Sequence, residues 1–590
     1  MRPRTRPLRS LIALAPLLAA GACATVRPST TTARAEPATA AQAEAPARLR
    51  ESLPVRDVSA LGLYLAAETA LEAGESGPAA RYFARASAAD PEDVDLRARA
   101  FTTSLLAGDV AAASRLAPAP GAGAEIVSLG RLVQGVEALA SDRPKEATAL
   151  LADPGIGVVH RPAASLLLPW AAAAAGGRPG AEPPGGEARS VGRFAQLSQA
   201  RRLERAGQAA AAEPVFKRLA EAGGDPLFAE AYGGFLERRG RRAEAVAAYD
   251  AALAREPDSA LRAARRRAVA GGPAPGQPTP RQGAAESLVG PAVALIGARR
   301  ADLGLIYVRL ALRLDPQLSS AWLVVGDTLN SAGEREAARA AYARVPETAP
   351  EGADALERLA LAAQADGDKA GALRLARRAA TLAPDDDQAG VVLAEVLRAQ
   401  GRDDEAVAVL DPLVARSPMG GSAGRLLFLR GAAHERSGRW TQAEADLKRA
   451  LQLRPDDPEV LNYLAFGWAD RGLHLKEALA MLEKASAARP DQGSVLDSVG
   501  WARFRMGDMR GALRDLEKAV ALEPADPEIN DHLGDVYQRV GRRSEARYQW
   551  RRVLTLDPVD KVRAAVEAKL RAAETPSQAA ERGAEGAPVA

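Results

Sequence analysis

Cysteine is nearly missing from this sequence. Cys23 is the only one in 590 residues, which excludes a disulfide or a multi-thiolate metal site within one chain. Histidine is scarce: His160, His434, His474 and His532 are scattered, with no second ligand at metal-binding spacing. Aromatic residues make up 4% of the chain against 47% hydrophobic residues in total, a balance that suits closely packed helices with Ala between them. No stretch alternates with period two strongly enough to argue for a sheet. An excess of one charge is missing too: 78 basic and 75 acidic side chains leave a net +3, so composition gives no case for nucleic acid, which needs a concentrated basic face. The sharpest basic cluster, Arg262, Arg265, Arg266 and Arg267, reads as a solvated helix face. There is no phosphate loop and no dinucleotide glycine fingerprint, and no cofactor is expected. Gly420, Ser422 and Gly424 fit the nucleophile-elbow spacing, but that motif needs a strand-to-helix turn that nothing here supplies. These absences point away from an enzyme.

A period of 34 residues fills the space they leave. Segments starting at Ser319, Ala353, Asp387, Gly424, Pro458, Gly493 and Pro527 return the same residue types at the same offsets. Gly closes the first half of each segment (Gly333, Gly367, Gly401, Gly438, Gly472, Gly507, Gly541), and Pro ends the second (Pro350, Pro384, Pro418, Pro455, Pro490, Pro524, Pro558). Between them Ala338, Ala372, Ala406, Ala443, Ala512 and Ala546 recur five residues after the Gly, and Ala478 does so after a one-residue insertion. Small residues such as Gly326, Ala360, Gly431, Gly500 and Gly534 let two helices approach closely, and the bulky positions follow helical spacing. A period of this length marks stacked helical hairpins. A solenoid contacts only neighbouring repeats, so the length does not require one large core.

The last segment, PEINDHLGDVYQRVGRRSEARYQWRRVLTLDP, resembles the tetratricopeptide repeat at its Leu, Gly, Tyr, turn Gly, Ala and closing Pro. The resemblance implies an all-α fold: a solenoid of helix hairpins in a right-handed superhelix, with a disordered N-terminal tether and C-terminal tail. About eleven units are legible, the N-terminal ones degenerate. The expected organisation is a signal peptide at 1–22, a lipid-anchored linker at 23–50 and degenerate repeat-like helices at 51–117. A helical segment with a Gly/Pro loop follows at 118–190, then repeats at 191–270, a Gly/Pro linker at 271–283 and the main array at 284–560. A capping helix at 561–573 and a disordered tail at 574–590 close the chain.

Four arginines (Arg2, Arg4, Arg6, Arg9) precede a short apolar run and then Ala20, Gly21, Ala22 and Cys23, the three-part form of a secretory signal peptide. Cys23 after small residues resembles the bacterial lipobox, although Ala20 stands where lipoboxes usually carry Leu. Lipidation at Cys23 is one reading; ordinary cleavage leaving a soluble periplasmic chain is the other. Either makes the mature chain an exported one, and Ala24 after the Cys fits outer-membrane sorting, with the N-terminal lipid as the only membrane contact.

In arrays of this family the first helix of each unit lines a concave groove. Its inward positions in the last three full units hold Asn462, Phe466 and Asp470; Asp497, Trp501, Phe504 and Arg505; and Asp531, Asp535, Gln538 and Arg539. Large aromatic and Arg side chains of this kind dominate recognition surfaces, although they also pack between units. The stretch LNYLAFGWADRG, then DSVGWARFRMG and INDHLGDVYQRVG, resembles the C-terminal half of large repeat-bearing lipoproteins of Gram-negative bacteria. That resemblance implies an adaptor that brings a periplasmic carboxyl-terminal processing protease together with substrates such as cell-wall hydrolases. An assembly factor for polysaccharide export or outer-membrane biogenesis is the alternative. An unrecognised enzyme site within 118–190 is a third reading, which continued helical hairpins there would count against.

Overall fold

The computed structural model describes residues 59–118, 121–177, 189–417 and 422–584. The expected signal peptide, Cys23 and the linker to residue 50 lie outside the described residues. So do Gly420 and Gly421 of the elbow-like pattern, most of the Gly/Pro loop within 118–190, and the last six positions of the tail. The described residues form 29 helices and no strand. None of these helices is long and apolar enough to cross a membrane. The chain divides into two compact units, one ending at Val392 and the other starting at Leu393.

Local chemistry explains the helix ends. Asp457 and Asp526 each accept hydrogen bonds from the first free backbone N–H groups of the helices Pro458–Arg471 and Pro527–Arg539. In both, Pro takes the first helical position, where its missing N–H costs nothing. The seven turn glycines all adopt positive φ, between 70° at Gly472 and 86° at Gly333 and Gly507, the left-handed geometry that stops a helix. The inserted residue of the segment from Pro458 is absorbed the same way: His474 sits at φ 45°, and its ring lies 4.9 Å from that of Trp468.

Within the second unit the recurring small residues act as expected from their offsets. A Cβ added to Gly500 would lie 2.7 Å from the Leu516 side chain, and one added to Gly534 would lie 2.5 Å from the Trp550 indole. The first helices Pro458–Arg471, Gly493–Met506 and Pro527–Arg539 touch one another in sequence, so their outer positions share one face. The helix Asp560–Ala584 closes the stack. It runs past Ala573, where the sequence placed the end of the cap, and it buries Val566 completely against the last repeat.

The first unit departs from a simple array. One core joins Phe101, Leu132 and Trp170 with Leu288, Tyr307 and Tyr342, so helices near residues 100–170 pack against helices near 280–340. Buried His160 places its Nδ1 2.9 Å from the Tyr307 hydroxyl. Arg313 binds Glu137 with two hydrogen bonds of 2.7 and 2.8 Å, which hold that carboxyl below its usual range. Contact between neighbouring repeats alone does not describe this unit; Ala-rich and Leu-rich helices that are distant in sequence bury one another. Residues 124–174 continue as helices, Ala124–Ala140, Pro144–Leu151 and Arg161–Ala174. A separate core holds residues such as Phe194, Phe216, Phe235, Tyr249 and Leu261.

The arginine cluster also differs from its expected solvated state. Arg262 pairs with Asp386 at 2.8 Å and Arg267 with Glu237 at 2.7 Å, while Arg265 pairs with Asp250 and Arg266 with Asp385. These side chains tie the helix Ser259–Val269 to its surroundings.

Candidate protein-binding face

Asp497 and Trp501 stand four residues apart on the helix Gly493–Met506, so both project from one side of it. His532, from the next first helix, fits between them. Its Nδ1 lies 2.9 and 3.0 Å from the two Asp497 oxygens, and its ring stacks on Trp501 with centroids 4.1 Å apart and planes at 17°. Burial alone would lower the imidazole pKa. The charge and hydrogen bond of Asp497, with Glu528 and Asp531, together offset that burial, and the pKa is pushed up to about 9. His532 is therefore a histidinium at neutral pH, held against an indole face in a favourable cation–π arrangement. Already protonated, it is a poor candidate for a general base.

The aromatic row continues on both sides. Phe504 stacks on Trp501 at 5.1 Å, and Phe466 tilts toward His532 at 6.2 Å. All three expected aromatic residues are half-buried, and they form one row with His532 between the first helices. Trp501 Nε1 and Asn462 Oδ1 are enclosed without a hydrogen-bond partner. Asp470 is exposed and lies 3.7 Å from Arg505, whose guanidinium also reaches the Asp470 backbone carbonyl. Gln538 and Arg539 are exposed.

The acidic positions are less available than their offsets imply. Asp497 is only 5% exposed, with its carboxylate engaged by His532. Lys569, from the closing helix, donates to Asp531 at 2.7 Å and to Asp535 at 2.8 Å. Burial raises the Asp535 pKa in spite of that ammonium, and Trp550 Nε1 adds a 3.3 Å contact. The first-helix face of the last unit is thus partly covered by the chain itself, whereas Phe466, Trp501 and Phe504 before it are half-buried. His532 is the member that sequence reasoning missed. Its signal was positional: it follows Asp497 by one repeat plus one residue, which sets the two side by side on adjacent first helices. Among the described residues no group of three or more His, Cys, Asp or Glu side chains is arranged to hold a metal ion.

Comparison with known proteins agrees with the repeat. The tetratricopeptide repeat family model matches residues 197–260 and 391–458. A TPR repeat-containing protein of Pseudomonas aeruginosa is 34% identical over 87 residues; the match spans 15% of this chain and 15% of that relative. Among solved structures, a chain of the APC/C hetero-tetramer Cut9–Hcn1 is 14% identical, with 89% of this chain and 98% of that one covered at a TM-score of 0.39. A tetratricopeptide repeat protein from Parabacteroides merdae is 15% identical, with 43% and 98% covered at a TM-score of 0.36. The chain carries tetratricopeptide repeats, and it is similar to proteins built from them.

Proposed function

We propose that this chain is a non-catalytic scaffold that holds a segment of another protein on the first-helix face of its second unit. The observation that carries this reading is the row of half-buried aromatic side chains, Phe466, Trp501 and Phe504, on consecutive first helices. Rigid aromatic anchors gain affinity from desolvation while losing little conformational freedom, and exposed Gln538 and Arg539 would supply a polar rim. Histidinium 532, Asp497 and the Lys569 bridge fix the surrounding backbone, so the anchors are set before a partner arrives. With the signal-peptide form of the N-terminus and Cys23 as its lipid attachment point, the scaffold works at the outer membrane, facing the periplasm. There it acts as an adaptor for envelope proteins, presenting substrates such as cell-wall hydrolases to a processing protease.

Affinity capture from native envelope extract with the mature chain, beside a Trp501→Ala/Phe504→Ala variant, tests this. Enrichment of a processing protease or a cell-wall hydrolase by the wild-type chain alone supports the adaptor. Enrichment of polysaccharide-export or outer-membrane assembly components would replace it with that role, and equal capture by both chains would move the binding face elsewhere.

A further inference from the structure

A second first-helix face, in the first unit, is already occupied by the chain's own helix Ser259–Val269. Arg262 of that helix reaches Asp386 at 2.8 Å, Arg266 reaches Asp385, and Ser259 donates to Asp354. Asp354 and Glu357 stand on the helix Gly352–Ala365, with Glu357 at the repeat position that Asn462, Asp497 and Asp531 occupy in later units. The contact is ionic. Among the described residues, no apolar cluster contains residues of both the 194–268 core and the 353–389 core. A cleft of about 270 Å³ lies beside it, between Arg266 and Arg267 on one side and Pro350 and Leu382 on the other.

The face carries more acid than the covering helix neutralises. Glu357 is 4% exposed, and its enclosed Oε1 has no hydrogen-bond partner. Burial, with Asp354 and Asp386 adding to it, pushes the Glu357 pKa well up against the opposing pull of Arg358 and Arg262. Arg358 is itself held by Asp327 at 2.6 and 3.0 Å. Glu351 is pushed to about 7 by burial, then by Glu230, Asp354 and Asp258. A buried carboxyl left unpaired is costly, and a polar contact without an apolar core is weak evidence of a permanent join. The apolar side of Ser259–Val269, with Leu261, Ala264 and Ala268, belongs to its own stack, so its arginines are the part that reaches across.

We propose that the acidic face around Asp354, Glu357 and Asp386 is a recognition surface for an arginine-bearing helix, and that Ser259–Val269 occupies it in cis as a displaceable stand-in. A partner helix with one more donor than the cis helix satisfies Glu357 as well, which gives it an advantage over the resident arginines. The partner class is a basic amphipathic helix.

The test uses the full chain and a stapled helical peptide of residues 258–270, linked through the Ala264 and Ala268 positions. The peptide is expected to bind an Arg262→Ala/Arg266→Ala chain at least tenfold more tightly than wild type. Added salt should weaken that binding, and further Glu357→Gln and Asp386→Asn changes should abolish it. A second readout does not depend on the arginine variant: spin labels at Ala251→Cys and Arg374→Cys, in a Cys23→Ser background, should move apart when millimolar peptide displaces the cis helix. Absence of peptide binding by a folded arginine variant would overturn the proposal. Should that variant lose its helical circular dichroism, an unchanged label distance in the otherwise wild-type chain would overturn it.

Discussion

At the scale of single residues, charge and close packing decide what each position does. His532 is protonated in the folded chain far above its ordinary pKa of 6.5, so its pairing with Asp497 favours folding fully below pH 6.5 and loses that effect as pH rises through about 9. Thermal melting between pH 6 and pH 10 is expected to show this loss in the wild type and a flatter profile in His532→Gln; parallel profiles would remove the histidinium from the account. Gly500→Ala would press a Cβ into Leu516 and is expected to cost about 1–3 kcal/mol by denaturant melting. The small residue at that offset was legible in the sequence because it recurs in unit after unit. The His532–Asp497 pair showed only as a spacing of one repeat plus one residue, since its members belong to different repeats and a lone histidine has no pattern of its own.

Helices show the same division between local and distant causes. Helix ends followed from local signals: Asp before Pro at the start, and a positive-φ Gly at the stop. The closing helix was legible as a cap, but its length was not, because Glu574 onward lacks the apolar spacing that marks a packed face. Its contribution rests on Val566, fully buried, and on Lys569 between Asp531 and Asp535. Lys569→Ala leaves two neighbouring carboxylates without their cation and is expected to cost about 1–2 kcal/mol. Truncation after Pro558 should go further and let the last repeat open before the others, as an uncapped terminal repeat does. Hydrogen exchange across residues 527–555 measures this; protection equal to the intact chain would show that the closing helix is dispensable.

On the scale of the whole chain, the 34-residue period carried the fold class because each repeat encodes its own hairpin. What the period did not carry is the core of the first unit, where Trp170, Tyr307 and Tyr342 meet from distant stretches of chain. Ala-rich helices without a repeat register leave no trace of such pairings. Trp170 is fully buried, and a Cβ added to Gly283 would lie 2.4 Å from its ring. Trp170→Ala is expected to cost about 3–5 kcal/mol. It should also raise hydrogen exchange in Pro280–Gly297 together with Arg161–Ala174, and a change confined to Arg161–Ala174 would mean that the two stretches are not one cooperative core.

Site-specific photo-crosslinking reads out the binding face without disturbing a buried residue. A photoreactive amino acid is placed at Gln538, exposed on the first-helix side of the last repeat, and separately at Tyr548, 63% exposed on a second helix. In native envelopes a discrete crosslinked partner is expected from position 538 and none from position 548. A partner captured from Tyr548 alone, or equally from both, would contradict the first-helix face as the binding site.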